Sequence, residues 1–175
     1  MRTIETVVYK FDELSKEAKE NAVKEYAKNE PSDYWYDNIF DDASNIGLEI
    51  TGFSIDRADY CNGNFISSAE ETAENIVREH GEDCKTYKTT KSYLEDRGIL
   101  VEKYSNHIET DRVAEENYEE FDYACDILDE DFKNDLLCDY KEMLKEEYEY
   151  LTSDEHIIEV IEENEFEFTI DGKII

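Results

Sequence analysis

The stretch EENYEEFDYACDILDEDFKNDLLCDYKEMLKEEYE, from Glu115 to Glu149, carries the strongest secondary-structure signal in the chain. Apolar residues recur in it every three or four positions, which places them on one face of an α-helix. They are Phe121, Cys125, Leu128, Phe132, Leu136, Tyr140, Met143 and Leu144. The pattern extends from about Arg112 to Tyr150 without a proline, so it predicts one long helix with a buried face and an acidic outer face.

Shorter helical patterns lie on both sides of this stretch. Four precede it, over about 15–26, 32–46, 68–80 and 86–104, each with small or apolar residues on one face. One follows it and opens at the capping-box pair of Thr152 and Glu155. These patterns predict several helices joined by short connections.

Alternating apolar residues predict strands at both ends of the chain. Val7, Tyr9 and Phe11 alternate in one, and Phe166, Phe168 and Ile170 alternate in the other. A further pair, over 48–60 and 65–67, flanks Asn62-Gly63, a dipeptide typical of a type I′ hairpin turn. The sequence therefore predicts a small antiparallel sheet that includes the N- and C-terminal strands.

Composition predicts one folded domain over residues 1–175. The chain has one Pro and six Gly, which leaves little material for linkers, and 13% aromatic residues, far more than a disordered acidic segment contains. The expected fold is α+β, with the small antiparallel sheet packed against several helices, one of them long and acidic. We expect a cytoplasmic protein with reduced thiols, because no stretch resembles a signal peptide or a membrane span.

Net charge is the unusual property of the chain. It has 18 Lys and Arg against 48 Asp and Glu, a formal charge of −30. Residues 107–167 contain 24 of these acidic residues and four basic ones, so the charge is concentrated there. Self-repulsion on this scale destabilises a compact state, so a protein that keeps it lives in high salt, binds many cations or presents the field to a positively charged partner. The same sign disfavours direct binding to nucleic acid or to an anionic membrane.

Carboxylate spacing in the long helix resembles phosphate spacing in DNA. Between Glu115 and Glu149 there are fifteen acidic residues in 35 positions. A helix of that length spans roughly 52 Å, which gives one carboxylate per roughly 3.5 Å against about 3.4 Å per phosphate along one DNA strand. The sequence therefore predicts a non-catalytic surface that mimics nucleic acid and binds a basic nucleic-acid-binding protein. The predicted contact residues are Glu115, Glu116, Tyr118, Glu119, Glu120, Asp122, Tyr123, Asp126, Asp129, Glu130, Asp131 and Asp135.

Two other interpretations of the charge stay open. The acidic face could be only a solvated surface or an adaptation to high salt, although ordinary solvated helices mix Lys with Glu at four-residue spacing. Alternatively, the chain is an interaction module or a homodimer that binds through aromatic residues near Tyr34, Trp35 and Tyr36, with the charge incidental.

Signals for chemistry are weak. Cys61, His80 and Cys84 include a His-x-x-x-Cys spacing compatible with zinc, but there is no C-x-x-C pair, so buried or idle thiols are the more ordinary interpretation. No nucleophile elbow, phosphate loop or dinucleotide fingerprint is present. We therefore expect neither a cofactor nor an enzyme.

Five segments resemble a family of small acidic proteins of bacteriophages and gut-bacterial mobile elements: VYKFDELS from Val8, EAKENA from Glu17, GLEITGF from Gly47, YCNG from Tyr60 and YLTS from Tyr150. The likeness covers nearly the whole chain. Part of that family resembles anti-CRISPR proteins that inhibit type II CRISPR nucleases. The resemblance implies a counter-defence role in the host-cell cytoplasm, with a type II CRISPR effector nuclease or its guide-RNA complex as the partner. It points to no catalytic residue.

Overall fold

The computed structural model describes residues 7–29, 31–105 and 111–175, with the backbone alone between 111 and 117. A 3-10 turn at Phe11–Glu13 precedes the regular elements. In chain order these are α1 (Lys16–Tyr26), α2 (Asp37–Ile46), β1 (Leu48–Ser54), β2 (Tyr60–Phe65), α3 (Ala69–Glu79), α4 (Lys85–Ser105), α5 (Asp111–Leu151) and α6 (Asp154–Glu163). Helices combined with an antiparallel strand pair confirm the predicted α+β class.

The described residues form two compact units. The central unit is Tyr36–Lys145, and the terminal unit combines Met1–Trp35 with Glu146–Ile175. Helix α5 lies in the central unit up to Lys145 and continues into the terminal unit. That residues 1–175 make up a single domain stays a prediction.

The hairpin of the central unit has its turn in a different place from the one predicted. Asn62 and Gly63 lie inside β2, where they pair with Gly52 and Ile50, and the chain turns before Asp59, which has a φ of 44°. Gly63 serves close packing instead. A Cβ there would lie 2.4 Å from the Glu49 carbonyl oxygen and 2.8 Å from Leu137 Cδ2. A glycine that lacks a side chain so that a neighbouring element can pack closely is thus easily mistaken for a turn glycine.

The predicted N- and C-terminal strands are the second correction. Residues 3–6 of the first lie outside the described residues, and its remainder makes one isolated bridge, from Tyr9 to Phe168. Phe168 makes a second isolated bridge to Ile174. Pairing stops after one residue because the chain enters the 3-10 turn at Phe11. The terminal segments therefore meet, as expected, but without forming regular strands.

Helix α4 packs antiparallel to α5 within the central unit. Lys85 Nζ donates to Glu142 Oε2 at 2.9 Å and Thr89 Oγ1 donates to Asp139 Oδ2 at 2.7 Å. Farther along α4, Tyr93 stacks on Phe132, with 4.1 Å between ring centroids and 11° between ring planes. As the residue number rises in one helix it falls in the other, which fixes the antiparallel register of the two helices.

Apolar packing in each unit matches the helical stripes expected from the sequence. The central core contains Ala43, Ile46, Leu48, Ile50, Ala69, Ala73, Ile76, Tyr93, Phe132, Leu136, Leu137 and Tyr140. The terminal core contains Phe11, Leu14, Ala18, Ala22, Val23, Ile157, Ile161 and Phe168. Between 118 and 145, the buried side of α5 is thus committed to the central core, which leaves its opposite side for solvent or a partner.

We predict that Gly63→Ala lowers the free energy of unfolding by about 1–3 kcal/mol, because the new methyl group must displace the β1 backbone and Leu137. Gly52→Ala is the matched control, since nothing lies within 4 Å of a Cβ built there. Its effect should stay within about 0.5 kcal/mol. Urea unfolding followed by circular dichroism measures both, and equal effects of the two substitutions would contradict the packing role of Gly63.

Candidate acidic docking surface

Helix α5 separates buried and exposed side chains sharply between 118 and 145. Phe132, Leu136, Tyr140 and Leu144 are almost fully buried. On the other side, seven of the predicted contact carboxylates and one predicted tyrosine are exposed: Glu119, Glu120, Asp122, Asp126, Glu130, Asp131, Asp135 and Tyr123. Tyr118 is exposed as well, although helical periodicity places it on the same face as Leu136. The side chains of Glu115 and Glu116 lie outside the described residues. Most of the predicted contact set therefore shares the solvent side of one helix.

The exposed carboxylates form two stripes along α5. Glu119, Asp122, Asp126 and Glu130 follow one another at spacings of three and four residues, and Glu120, Asp131 and Asp135 lie on a neighbouring face. Like charges at a spacing of four residues destabilise a helix by about 0.2–0.5 kcal/mol per pair. The stripes are therefore maintained against local repulsion.

Two apolar side chains lie between these stripes. Tyr123 is 69% exposed and Ile127, one turn later, is 47% exposed. Helical periodicity places both between the Glu119 stripe and the Glu120 face. An apolar strip bordered by carboxylates offers a partner contact area as well as charge.

Lysines on α5 bind acidic groups of the chain itself. Lys133 pairs with Glu130 at 2.7 Å, and Lys141 and Lys145 both pair with Asp59, at 3.4 Å and 2.5 Å. Hydrogen bonds from the two lysines help to lower the pKa of Asp59 from its usual value, Lys145 contributing most. The three lysines are therefore already paired within the chain. They are not placed to neutralise the exposed carboxylates between 119 and 126, or Asp131 and Asp135.

Six α5 carboxylates have no basic group within 4 Å among the side chains that the structure describes: Glu119, Glu120, Asp122, Asp126, Asp131 and Asp135. We call these six residues the α5 acidic surface. A cationic partner could approach them without first displacing an internal ion pair.

Asp129 differs from its neighbours because it belongs to an internal network. Its Oδ1 accepts hydrogen bonds from the Tyr93 hydroxyl at 2.8 Å and from Arg97 Nη1 at 3.0 Å, and Arg97 also pairs with Glu70. Burial raises the pKa of Asp129 above its usual value, against the lowering effect of Tyr93 and Arg97. Asp129 thus positions α4 on α5. Sequence reasoning missed this role because the helical spacing of Asp129 matches that of the exposed acids.

The three residues of the weak metal candidate have separate environments. His80 Nδ1 lies 2.7 Å from Thr86 Oγ1, Cys84 is exposed, and burial raises the pKa of the half-buried Cys61 thiol to about 11. Within residues 7–29, 31–105 and 118–175, no group of three or more His, Cys, Asp or Glu side chains is arranged to hold a metal ion. The structure gives these residues no shared chemistry.

His80 instead belongs to a polar junction that the sequence did not reveal. Its Nε2 lies 3.5 Å from Asp42 Oδ1, and the Tyr140 hydroxyl donates to Asp42 Oδ2 at 2.8 Å. With Thr86, the junction links α2, the end of α3, α4 and α5. The approach of His80 to this carboxylate is the largest cause of a lowered Asp42 pKa, and the hydrogen bond from Tyr140 lowers it further. One sequence feature could have indicated this junction. Tyr140 falls in the apolar stripe of α5, and the hydroxyl of a buried tyrosine requires a hydrogen-bond partner.

Aromatic residues 34–36 do not form one exposed patch. Tyr34 is 73% exposed, but the Trp35 ring packs on Tyr148 with centroids 5.6 Å apart. Tyr36 packs against the Phe40 ring at 4.9 Å. Trp35 and Tyr36 are half-buried, and the alternative interface around these three residues stays a prediction.

Comparisons with known proteins leave the family open. No protein-family model matches the chain, and searches of curated proteins and of solved structures gave no significant match. In the part of the chain that the structure describes, no helix has both the length and the apolar character required to cross a membrane.

We predict that Asp42→Asn destabilises the protein at neutral pH by about 0.5–1.5 kcal/mol, the usual net contribution of a hydrogen bond, because the Asp42 side chain is 48% exposed and solvent screens its charge. Because the folded pKa of Asp42 is lowered, its contribution is present above the unfolded value of 3.8 and is lost as the pH falls below it. The difference from the natural protein should therefore shrink at pH 3. Exposed Asp41→Asn is the control for the charge change. Urea unfolding at both pH values tests this, and a pH-independent difference would contradict it.

Proposed function

We propose that this protein is a non-catalytic inhibitor that uses the α5 acidic surface to occupy the nucleic-acid channel of a basic, DNA-binding nuclease. One observation carries the proposal: six carboxylates that have no cationic partner among the described side chains are held on one helix whose opposite side is packed in a core. A protein that grips phosphates with Lys and Arg would meet comparable negative charges at comparable spacing. It would release counterions on binding, as it does when it binds nucleic acid.

A fixed backbone strengthens mimicry because charges on a mobile chain must be ordered before they bind. Here α5 is held by the Tyr93–Phe132 stack and by the hydrogen bond from Tyr140 to Asp42. Preorganisation of this kind reduces the entropic cost of association. The carboxylates are thus presented much as phosphates are presented by a duplex.

A counter-defence role follows from the partner chemistry together with the sequence resemblance. An RNA-guided nuclease holds its guide and target in positively charged channels, which an acidic helix could enter. The resemblance to phage and mobile-element proteins supports a type II CRISPR effector, or its guide-RNA complex, as the target. Such an inhibitor would act in the cytoplasm of the host cell.

Binding explains the charge better than catalysis does. An enzyme acting on nucleic acid also needs basic residues to hold its substrate. On α5 the lysines with described side chains are already paired with Glu130 and Asp59. A net charge of −30 would repel such a substrate at long range.

We predict that the triple reversal Glu119→Lys, Glu120→Lys and Asp126→Lys weakens competition with target DNA for a guide-loaded type II effector by at least about 100-fold, or about 2.8 kcal/mol. The matched control reverses Glu159, Glu162 and Glu163, three exposed residues of α6, and changes net charge equally. Fluorescence anisotropy of labelled target DNA measures both. If the α6 variant loses as much affinity as the α5 variant, overall charge and not the α5 surface is responsible.

We further predict a steep dependence of inhibition on salt. If all six carboxylates take phosphate positions, affinity should fall by about a thousandfold between 50 and 200 mM salt. An aromatic interface around Tyr34 would change little over that range. Titrating the same anisotropy competition at four salt concentrations gives the slope, and a flat response would exclude mimicry.

A further inference from the structure

A groove between α4 and α5 lies beside the α5 acidic surface. It encloses about 500 Å³, within the range of about 300–1,000 Å³ that is usual for ligand pockets. Asp96 of α4 and Asp131 and Asp135 of α5 line it, so carboxylates lie on both walls. No described basic side chain lies within 4 Å of any of these three carboxylates.

A lysine also lines the groove but does not neutralise it. Lys88 Nζ donates a hydrogen bond to the main-chain oxygen of Asp83 at 2.9 Å. Its ammonium group is therefore held at the start of α4. The groove retains an excess of negative charge that a cation from outside the chain could balance.

Apolar side chains form the floor of the groove. Tyr93 and Phe132 are stacked and almost fully buried, and Leu128 is half-buried beside them. The Tyr93 hydroxyl is fixed by Asp129, so the floor cannot collapse by rotation of that ring. A ligand entering here would meet hydrocarbon below and carboxylate oxygens at the sides.

We propose that this groove anchors an arginine side chain of the protein partner. The aliphatic stem of arginine would lie on Leu128 and the edge of the Tyr93–Phe132 stack, while its guanidinium would bridge Asp96 and the Asp131–Asp135 pair. Arginine suits the site better than lysine because its flat fork donates to carboxylates on two sides at once. The inference rests on the proposed function and adds to it a definite contact point, one that includes a residue outside α5.

Two adjacent residues provide the test. Asp96→Asn removes a groove carboxylate, and Glu95→Gln removes the same charge from an exposed neighbour that does not line the groove. Each protein is titrated with a triarginine peptide and a trilysine peptide at 50 mM salt, followed by amide chemical shifts of Thr89 and Ser92. We expect Asp96→Asn to weaken triarginine binding about tenfold and Glu95→Gln to change it less than twofold. We also expect trilysine to bind the natural protein several-fold more weakly than triarginine does.

Equal effects of the two substitutions would overturn the inference, as would spermidine matching triarginine in affinity for the groove. The competition assay with a guide-loaded effector then separates the two proposals. One result would reject the groove alone: the Asp96→Asn protein inhibits the effector as well as the Glu95→Gln protein does, while the triple reversal of Glu119, Glu120 and Asp126 abolishes inhibition. In that case the groove is not the anchor, and the mimicry proposal stands. If the reversal has no effect, the proposed function itself fails.

Discussion

The central unit depends on the contact that holds an acidic helix against an apolar core despite the mutual repulsion of its charges. Tyr93 stacks on Phe132 at 4.1 Å, and Tyr140, fully buried, reaches Asp42 with its hydroxyl. Stacked and buried aromatic side chains contribute large apolar areas, and their interaction does not weaken at high ionic strength. Repulsion on the outer side of α5 is offset by this packing on the inner side. The exposed carboxylates can therefore remain unpaired without loss of the helix.

Internal pairing divides the charges of α5 into two kinds. Asp129 and Asp139 accept hydrogen bonds from α4 and hold the two helices together. The six residues of the α5 acidic surface have no such partner among the described side chains. Structural and recognition roles thus alternate along one helix, at positions only a few residues apart. Charge density alone does not separate these roles, whereas the contacts of each side chain do.

Sequence periodicity predicted the helices well because burial of an apolar stripe is a local property of the chain, although α2 begins at Asp37 and not near position 32. It predicted α5 to within a residue or two, and it placed seven of the contact carboxylates on the exposed side. It misplaced the hairpin turn because a glycine such as Gly63 is used both where a turn needs a positive φ and where a neighbouring element comes close. Only the position of Leu137, which lies far away in the sequence, shows that the second reason applies. It also missed the roles of Asp129, His80 and Arg97, since their partners lie on other elements.

The distribution of lysines along α5 gives the surface a direction. There is no Lys or Arg between 118 and 132, whereas Lys133, Lys141 and Lys145 follow within the next thirteen residues. Negative potential therefore declines from one end of the segment to the other. A DNA duplex has no such gradient, since its two antiparallel strands carry the same charge in both directions. A cationic cleft that fits this helix would consequently bind it in a single orientation. A helix with the same residues in the opposite order would not bind that cleft equally well.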